Sequence, residues 1–131
     1  MITATQQRDR EFIRLCQRHY KTLCEEGQNP SIYRIVLDVL SKPAPSYFVD
    51  FYHASAKLSH ALRQEPPSRG KTYYCSRLWI DMLRDYKELQ KRHPRRSFHE
   101  LVLELCVGTA GNPRFYISPR RAVEIVRRHL V

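Results

Sequence analysis

One stretch near the end of the chain shows a clear local pattern: residues 111–130, GNPRFYISPRRAVEIVRRHL. Its opening glycine, asparagine and proline indicate a turn, because these residues favour reversals and proline cannot continue a helix. The aromatic and β-branched run 115–117 predicts a short extended segment. Ser118 and Pro119 have the residue types of an N-cap and a first helical position. The stretch therefore predicts a turn, an extended segment and a final helix.

A fainter copy of this pattern occurs earlier in the chain, at residues 45–62. When the two stretches are aligned 68 positions apart, the run 47–49 falls on 115–117. The preceding helices align at an offset of 66, with 7 of 33 positions identical between 8–40 and 74–106. Two unrelated amphipathic helices could match by chance, but cap, helix, proline break, aromatic segment, cap and helix also recur in one order. We interpret the pattern as an internal duplication.

Apolar residues at three- and four-residue spacing predict three helices in the first half. The first runs over residues 8–26 with its apolar face at Phe12, Cys16, His19, Tyr20, Leu23 and Cys24. The second and third run to Leu40 and Leu62. The expected N-caps are Thr5, Ser31 and Asp50, and Gly27 closes the first helix.

The second half predicts three further helices by the same spacing. A long helix ends near Pro94 and has its apolar face at Leu78, Trp79, Met82, Leu83, Tyr86 and Leu89. The next begins after the N-cap Ser97, with Glu100 placed for a capping box. The last helix has its predicted buried side at Ala122, Val123, Ile125, Val126, His129 and Leu130.

These patterns predict an all-α fold made of two tandem tri-helical repeats, six helices in all, with one very short extended segment per repeat. Repeat 1 covers about residues 5–63, a linker follows at 64–71, and repeat 2 covers about 72–131. We expect a single compact domain over 1–131. The two extended segments are expected to pair with each other, which would satisfy their backbone polar groups.

The composition favours a globular protein with an anionic partner. The 131 residues are 42% hydrophobic, and the formal net charge is +10. Up to Pro67 the chain has nine Lys and Arg residues against seven Asp and Glu, and from Ser68 onward it has fourteen against six. A basic surface attracts polyanions and releases their counterions. We therefore expect the C-terminal half to carry the positive field.

Four cysteines lie within helical apolar patterns and form no C-x-x-C pair: Cys16, Cys24, Cys75 and Cys106. This predicts small buried side chains in a reducing compartment rather than disulfides or metal ligands. The sequence has no apolar run of membrane-spanning length and no signal-peptide pattern, so we expect a cytoplasmic protein. It also predicts no cofactor and no enzymatic activity.

The run 112–118, NPRFYIS, together with Ala122 and Ile125, resembles an A-P-R-F-Y-V-S pattern of small uncharacterised bacterial proteins. Asn112 departs from that pattern, which has alanine at this position. The resemblance covers about fifteen residues and implies no activity.

The predicted site is basic. The polar side of the last helix has the cations Arg120, Arg121, Arg127 and Arg128, with Arg114 just upstream, and the aligned third helix has Tyr52, His53, Ser59 and His60 instead. A second cluster at the junction of the fourth and fifth helices consists of Lys91, Arg92, Arg95 and Arg96. Arginines on one exposed helix face favour phosphate binding. In the alternative, each cluster is a solvated face, with Glu124 paired to Arg127 and Arg128.

We therefore predict a nucleic-acid-binding helical protein that contacts duplex DNA with its C-terminal repeat; by analogy, a regulatory or mobile-element accessory role would suit it. A standard helix-turn-helix is disfavoured because about a dozen residues separate the last two helices. The alternative function is a protein-interaction or assembly module, either a homodimer or a module whose basic face meets an acidic protein.

Overall fold

A computed structural model describes residues 2–63, 73–108 and 110–130, apart from the side chains at 73–76 and 130. Over these ranges it contains six helices and no strand, which confirms the predicted all-α class. The helices are α1 (Ala4–Glu25), α2 (Ile32–Leu40), α3 (Phe51–Leu62), α4 (Tyr73–Arg92), α5 (Phe98–Cys106) and α6 (Pro119–Leu130). The predicted linker at 64–71 lies outside the described residues.

Most helices begin where their N-cap residues predict. The side chains of Ser31, Asp50, Ser97 and Ser118 each accept a hydrogen bond from the backbone N–H three residues later, at 3.0 to 3.2 Å. The prediction for α1 is wrong, because the N-cap is Thr3 rather than Thr5. Thr3 and Gln6 form a reciprocal capping box. The residue three after Thr5 is an arginine, which cannot accept the hydrogen bond that completes such a box.

The helices group into two compact units, and unit 1 comprises Met1–Lys42 and Ile117–Val131. It contains α1, α2 and α6, each of which packs on the other two. Its buried core consists of Phe12, Cys16, Leu23, Ile35, Val36, Val39, Ile117, Ala122, Val123, Ile125 and Val126. All of these side chains except Ile117, which precedes α6, lie on the apolar faces of the three helices, as the spacing predicts.

Three residues of the predicted α1 face are not in this core. Tyr20 and Cys24 are exposed, and His19 is half-buried with its Nε2 2.9 Å from Asp38 Oδ2 of α2. The nine-residue α2 cannot cover the whole apolar stripe of the 22-residue α1. The outer edge of that stripe therefore stays open.

Unit 2 comprises Pro43–Tyr116 and contains α3, α4 and α5, again with each helix packed on the other two. Its core is larger and more aromatic. The buried cluster consists of Tyr47, Ala54, Leu58, Trp79, Met82, Tyr86, Leu89, Leu101, Val102 and Leu105. The predicted apolar face of α4 packs into this cluster.

The grouping of the helices differs from their order in the predicted repeats. The third helix of each predicted repeat packs with the first two helices of the other one, because α6 lies in unit 1 and α3 in unit 2. Each unit thus has one helix of 20 or 22 residues, one of 9 and one of 12. The duplication itself stays a prediction.

The two aromatic segments contact each other within unit 2, but not as strands. Tyr47 stacks with Tyr116 and Phe48 with Phe115, with ring centroids 6.0 and 6.1 Å apart. The backbone N–H of Ala44 donates to the carbonyl of Pro113 at 2.9 Å. Phe48 and Tyr116, which are 68 positions apart, both have φ 54. A positive φ interrupts the extended backbone, so the expected pairing occurs through rings rather than through a strand ladder.

Gly108 and Gly27 allow a matched test of how α5 meets the first aromatic segment. Each follows the end of its helix with positive φ, at 78 and 81. A Cβ on Gly108 would overlap the Pro45 carbonyl, whereas a Cβ on Gly27 has no atom within 4 Å. Gly27→Ala should lower the free energy of unfolding by about 1–2 kcal/mol, from backbone strain alone. Gly108→Ala should lower it by about 1–3 kcal/mol more, because the new Cβ also overlaps the Pro45 carbonyl. Urea unfolding of both variants measures the difference, and equal losses would contradict the close approach.

Candidate functional site

The polar face of α6 has the predicted composition. Its buried side holds Ala122, Val123, Ile125 and Val126, and its exposed side holds Arg120, Arg121, Glu124, Arg127 and Arg128. His129, predicted to be buried, is exposed. It lies in the last turn of α6, where the helix borders an open pocket of unit 1. The side chain of Leu130 lies outside the described residues. We call the four arginines the α6 arginine face.

Glu124 forms the ion pairs of this face, but with other arginines than predicted. Its carboxylate lies 3.3 Å from Arg121 Nη1 and 4.0 Å from Arg120 Nε. The predicted alternative paired it with Arg127 and Arg128. The Arg120 side chain is still 94% exposed. Exposed pairs of this kind contribute about 0–1 kcal/mol, so an anionic ligand can displace Glu124 at little cost.

Arg127 has a partner that sequence reasoning missed. Its guanidinium carbon lies 5.6 Å from the ring centroid of Tyr33, in the geometry of a cation–π contact. Tyr33 belongs to α2 and is 56% exposed. No local pattern links these two residues, because they meet only when α6 packs on α2. The contact places an exposed aromatic ring beside the α6 arginine face.

The second predicted cluster lies in unit 2, at the α4–α5 junction. Lys91 pairs with Glu88 at 3.6 Å, and Arg96 pairs with Glu104. Arg92 and Arg95 are exposed. The structure therefore brings the residues of each cluster together but assigns the two clusters to different units. Arg114, predicted to extend the α6 arginine face, is exposed and also belongs to unit 2.

The fold redistributes the charge that the sequence concentrates in one half. Unit 1 has eleven Lys and Arg residues against six Asp and Glu, and unit 2 has twelve against seven. Each unit therefore has the same positive excess. The inclusion of α6 in unit 1 is the reason, since this helix brings four arginines to the less basic N-terminal helices.

Two buried carboxylates in α4 form a cluster that the sequence reasoning also missed. Asp81 and Asp85 are only 4% and 5% exposed. The hydroxyl of Tyr116 donates to Asp81 Oδ2 at 2.8 Å, and the hydroxyl of Tyr47 donates to Asp85. The backbone N–H of Asn112 donates to Asp85 Oδ2 at 2.8 Å. Both aromatic segments are thereby attached to one helix.

Two arginines of the same helix balance the charge of these carboxylates. Arg77 lies 3.1 Å from Asp81, and Arg84 lies 3.2 Å from Asp81 and 3.5 Å from Asp85. The only sequence signal was a pair of acidic residues within the apolar stripe of α4. The tyrosine partners are more than thirty positions away, so helical periodicity does not reveal them.

Burial keeps the tyrosines of this cluster protonated. It raises the pKa of Tyr47 and of Tyr116, and in each case the hydrogen bond to the neighbouring carboxylate raises the pKa further. A protonated hydroxyl donates to a carboxylate, so each buried acid has a donor. The cluster therefore stabilises the fold and exposes neither a nucleophile nor a base.

The cysteines only partly follow their prediction. Burial raises the pKa of the Cys16 thiol to about 12 and that of Cys106 to about 11. Both are then thiols at neutral pH and weak nucleophiles. Cys24 is exposed, contrary to prediction, because it lies on the uncovered edge of α1. The side chain of Cys75 lies outside the described residues.

The described part of the chain has no group of three or more His, Cys, Asp or Glu residues arranged to hold a metal. No helix there is long and apolar enough to cross a membrane. Comparison with protein-family models, curated proteins and solved structures finds no significant match. Function is therefore inferred from the geometry of the chain itself.

The contribution of the carboxylate cluster to stability can be measured with two Tyr→Phe variants. Tyr47→Phe removes the donor to Asp85 and should lower the free energy of unfolding by about 1.5–3 kcal/mol. Tyr86→Phe is the control, because Tyr86 is buried in the same core but only burial raises its pKa. The control should lose less than about 1 kcal/mol. Similar losses for both variants would show that the hydrogen bond contributes nothing.

The same tyrosines predict weaker folding at alkaline pH. An unfolded tyrosine ionises near pH 10, whereas Tyr47 and Tyr116 have a raised pKa in the fold. Above about pH 10 the unfolded chain releases protons that the folded chain retains, so the free energy of unfolding falls as pH rises. Urea unfolding between about pH 9 and 11 should show a shallower fall for Tyr47→Phe than for the wild type. Parallel curves would contradict the raised pKa.

Proposed function

We propose that this protein binds nucleic acid, as duplex DNA, through the α6 arginine face. The observation that supports this is the position of four arginines on the exposed side of a helix whose opposite side is buried in unit 1. The buried side fixes the helix, so the arginines are presented from a rigid element. A guanidinium can donate two parallel hydrogen bonds to a phosphate.

The N-terminal turn of α6 adds to the attraction. Its first backbone N–H groups lack helical partners and give this end a partial positive charge. The first residue, Pro119, has no N–H, and the N–H groups of Arg121 and Ala122 donate to the hydroxyl and the carbonyl of Ser118 at 3.2 and 2.9 Å. Arg120 projects from the same turn with a 94% exposed side chain. A phosphate at this end would therefore meet the partial positive charge of the helix and the Arg120 guanidinium.

Tyr33 extends the surface beyond phosphates. Its exposed ring, in contact with Arg127, can pack against a sugar or a base edge at the border of the groove. Most of the affinity would nonetheless come from phosphates, which predicts strong salt dependence and weak sequence preference.

The salt dependence of duplex binding tests this proposal. The variant Arg120→Ala/Arg128→Ala should reduce the slope of log affinity against log salt by about 1.8, since each lost phosphate contact removes about 0.9. The control Lys21→Ala/Lys87→Ala removes the same charge at two exposed sites outside α6. Its slope should match the wild type. Glu124→Gln should tighten binding, because it removes the carboxylate beside Arg120 and Arg121.

Three results would contradict the proposal. Absence of duplex DNA binding by the wild type even at low salt would exclude the function. Equal slopes for the α6 variant and the wild type would exclude α6 as the site. An equal reduction of the slope in the α6 variant and in the control would show that binding responds to net charge alone.

A second candidate function, a module that binds an acidic protein, is favoured by a different observation. Tyr33 and Leu37 are 56% and 52% exposed on the same side of α2, four residues apart. Exposed aromatic and apolar residues beside an arginine are typical of protein interfaces. The test is to measure binding of an acidic protein at high salt. Binding that persists in the wild type and is lost in Leu37→Ser would support this module over the nucleic-acid function.

A further inference from the structure

We propose that unit 1 contains a binding pocket for a small amphipathic acid, with an apolar body and a carboxylate end. A pocket of about 510 Å³ lies among α1, α2 and α6. Its volume falls within the range of small-molecule sites, roughly 300–1,000 Å³. The buried side chains of Cys16, Ile35 and Val126 line its inner part.

The pocket coincides with a difference in side-chain size at aligned positions of the two units. Sixty-six positions after Cys16 and Ile13, unit 2 has Met82 and Trp79, which are 0% and 3% exposed in its core. In the same alignment the pocket residue Ile32 corresponds to Phe98, which packs against that core. At these three aligned positions unit 2 thus has the larger side chain.

A tyrosine that the two halves share at aligned positions shows the same difference. Tyr20 and Tyr86 align at the offset of 66 positions, but Tyr20 is 47% exposed whereas Tyr86 is 3% exposed. The ring that completes the core of unit 2 therefore borders an open pocket in unit 1. Protein interiors are normally close-packed, and unit 2 packs three helices of similar lengths, each on the other two, around a filled core. The space in unit 1 thus coincides with smaller or more exposed side chains at the aligned positions.

The lining indicates the ligand chemistry. The inner part is aliphatic, and the border carries Gln17 and His129, both exposed and both able to donate a hydrogen bond. None of the described residues that line the pocket is acidic. His129 also follows Arg127 and Arg128 in the last turn of α6. An apolar body with a carboxylate end matches these features, and the raised pKa of Cys16 excludes a reactive thiolate at neutral pH.

Titration calorimetry with sodium decanoate, below its micelle concentration, tests the pocket. The variants Cys16→Met and Ile13→Trp introduce the residue types found at the aligned positions of unit 2. Each should weaken decanoate binding at least about tenfold, in line with a filled site, while circular dichroism and the melting temperature show an intact fold. Cys16→Met is the milder change if Ile13→Trp perturbs folding. Leu103→Trp adds an aromatic ring at an exposed α5 site and should leave binding unchanged.

The polar end of the ligand is tested with His129→Ala. This variant should weaken decanoate binding but leave the binding of 1-decanol unchanged, because only the acid uses the imidazole. Absence of decanoate binding to the wild type overturns the proposal, and so does wild-type affinity in both filling variants. A concentration-dependent dimer in sedimentation that Cys16→Met dissociates would assign the pocket to a second copy of the chain and also overturn it. None of these results depends on nucleic-acid binding.

Discussion

The hydrogen bonds between two buried carboxylates and two tyrosines determine where both aromatic segments lie in unit 2. Asp81 and Asp85 occupy adjacent turns of α4 and accept from Tyr116 and Tyr47. A buried carboxylate that loses a hydrogen-bond donor is destabilised even beside its arginine partners, so moving either segment away from α4 is unfavourable. The segments in turn precede α3 and α6, the two helices that pack away from their own predicted repeat. The polar cluster thus anchors the stretches where the chain passes between units.

The backbone around this cluster is strained, and the hydrogen bonds compensate for it. Phe48 and Tyr116 have positive φ, which costs a non-glycine residue about 1–2 kcal/mol. A hydrogen bond to a charged group returns a similar amount, about 1.5–3 kcal/mol. Gly111 completes the arrangement with φ 84, since a Cβ there would lie 2.7 Å from Asp85 Oδ2. The position next to Asn112 therefore requires glycine for both backbone and space.

Local features of this fold could be predicted from the sequence, and long-range ones could not. Caps such as Ser31 and Asp50 act within one turn, and apolar spacing reports a helix face directly, so helix number and most starts are confirmed. Which helices pack together depends on contacts between residues far apart in the chain. Periodicity is the same whether α6 packs on α4 or on α1. The exchange of α3 and α6 and the contact between Tyr33 and Arg127 are of this kind.

This exchange also changes how the α6 arginine face should be understood. The sequence presents the arginines as part of a basic C-terminal half, but α6 belongs to the unit built by the N-terminal helices. At the positions aligned with Asp81 and Asp85, α1 has Leu15 and His19, so unit 1 lacks this carboxylate pair. In unit 2, Asp81 and Asp85 hold the aromatic segments, and larger side chains fill the core. Unit 1 combines an arginine-bearing helix with an open pocket against that same helix, and it is therefore the unit in which we expect function to reside.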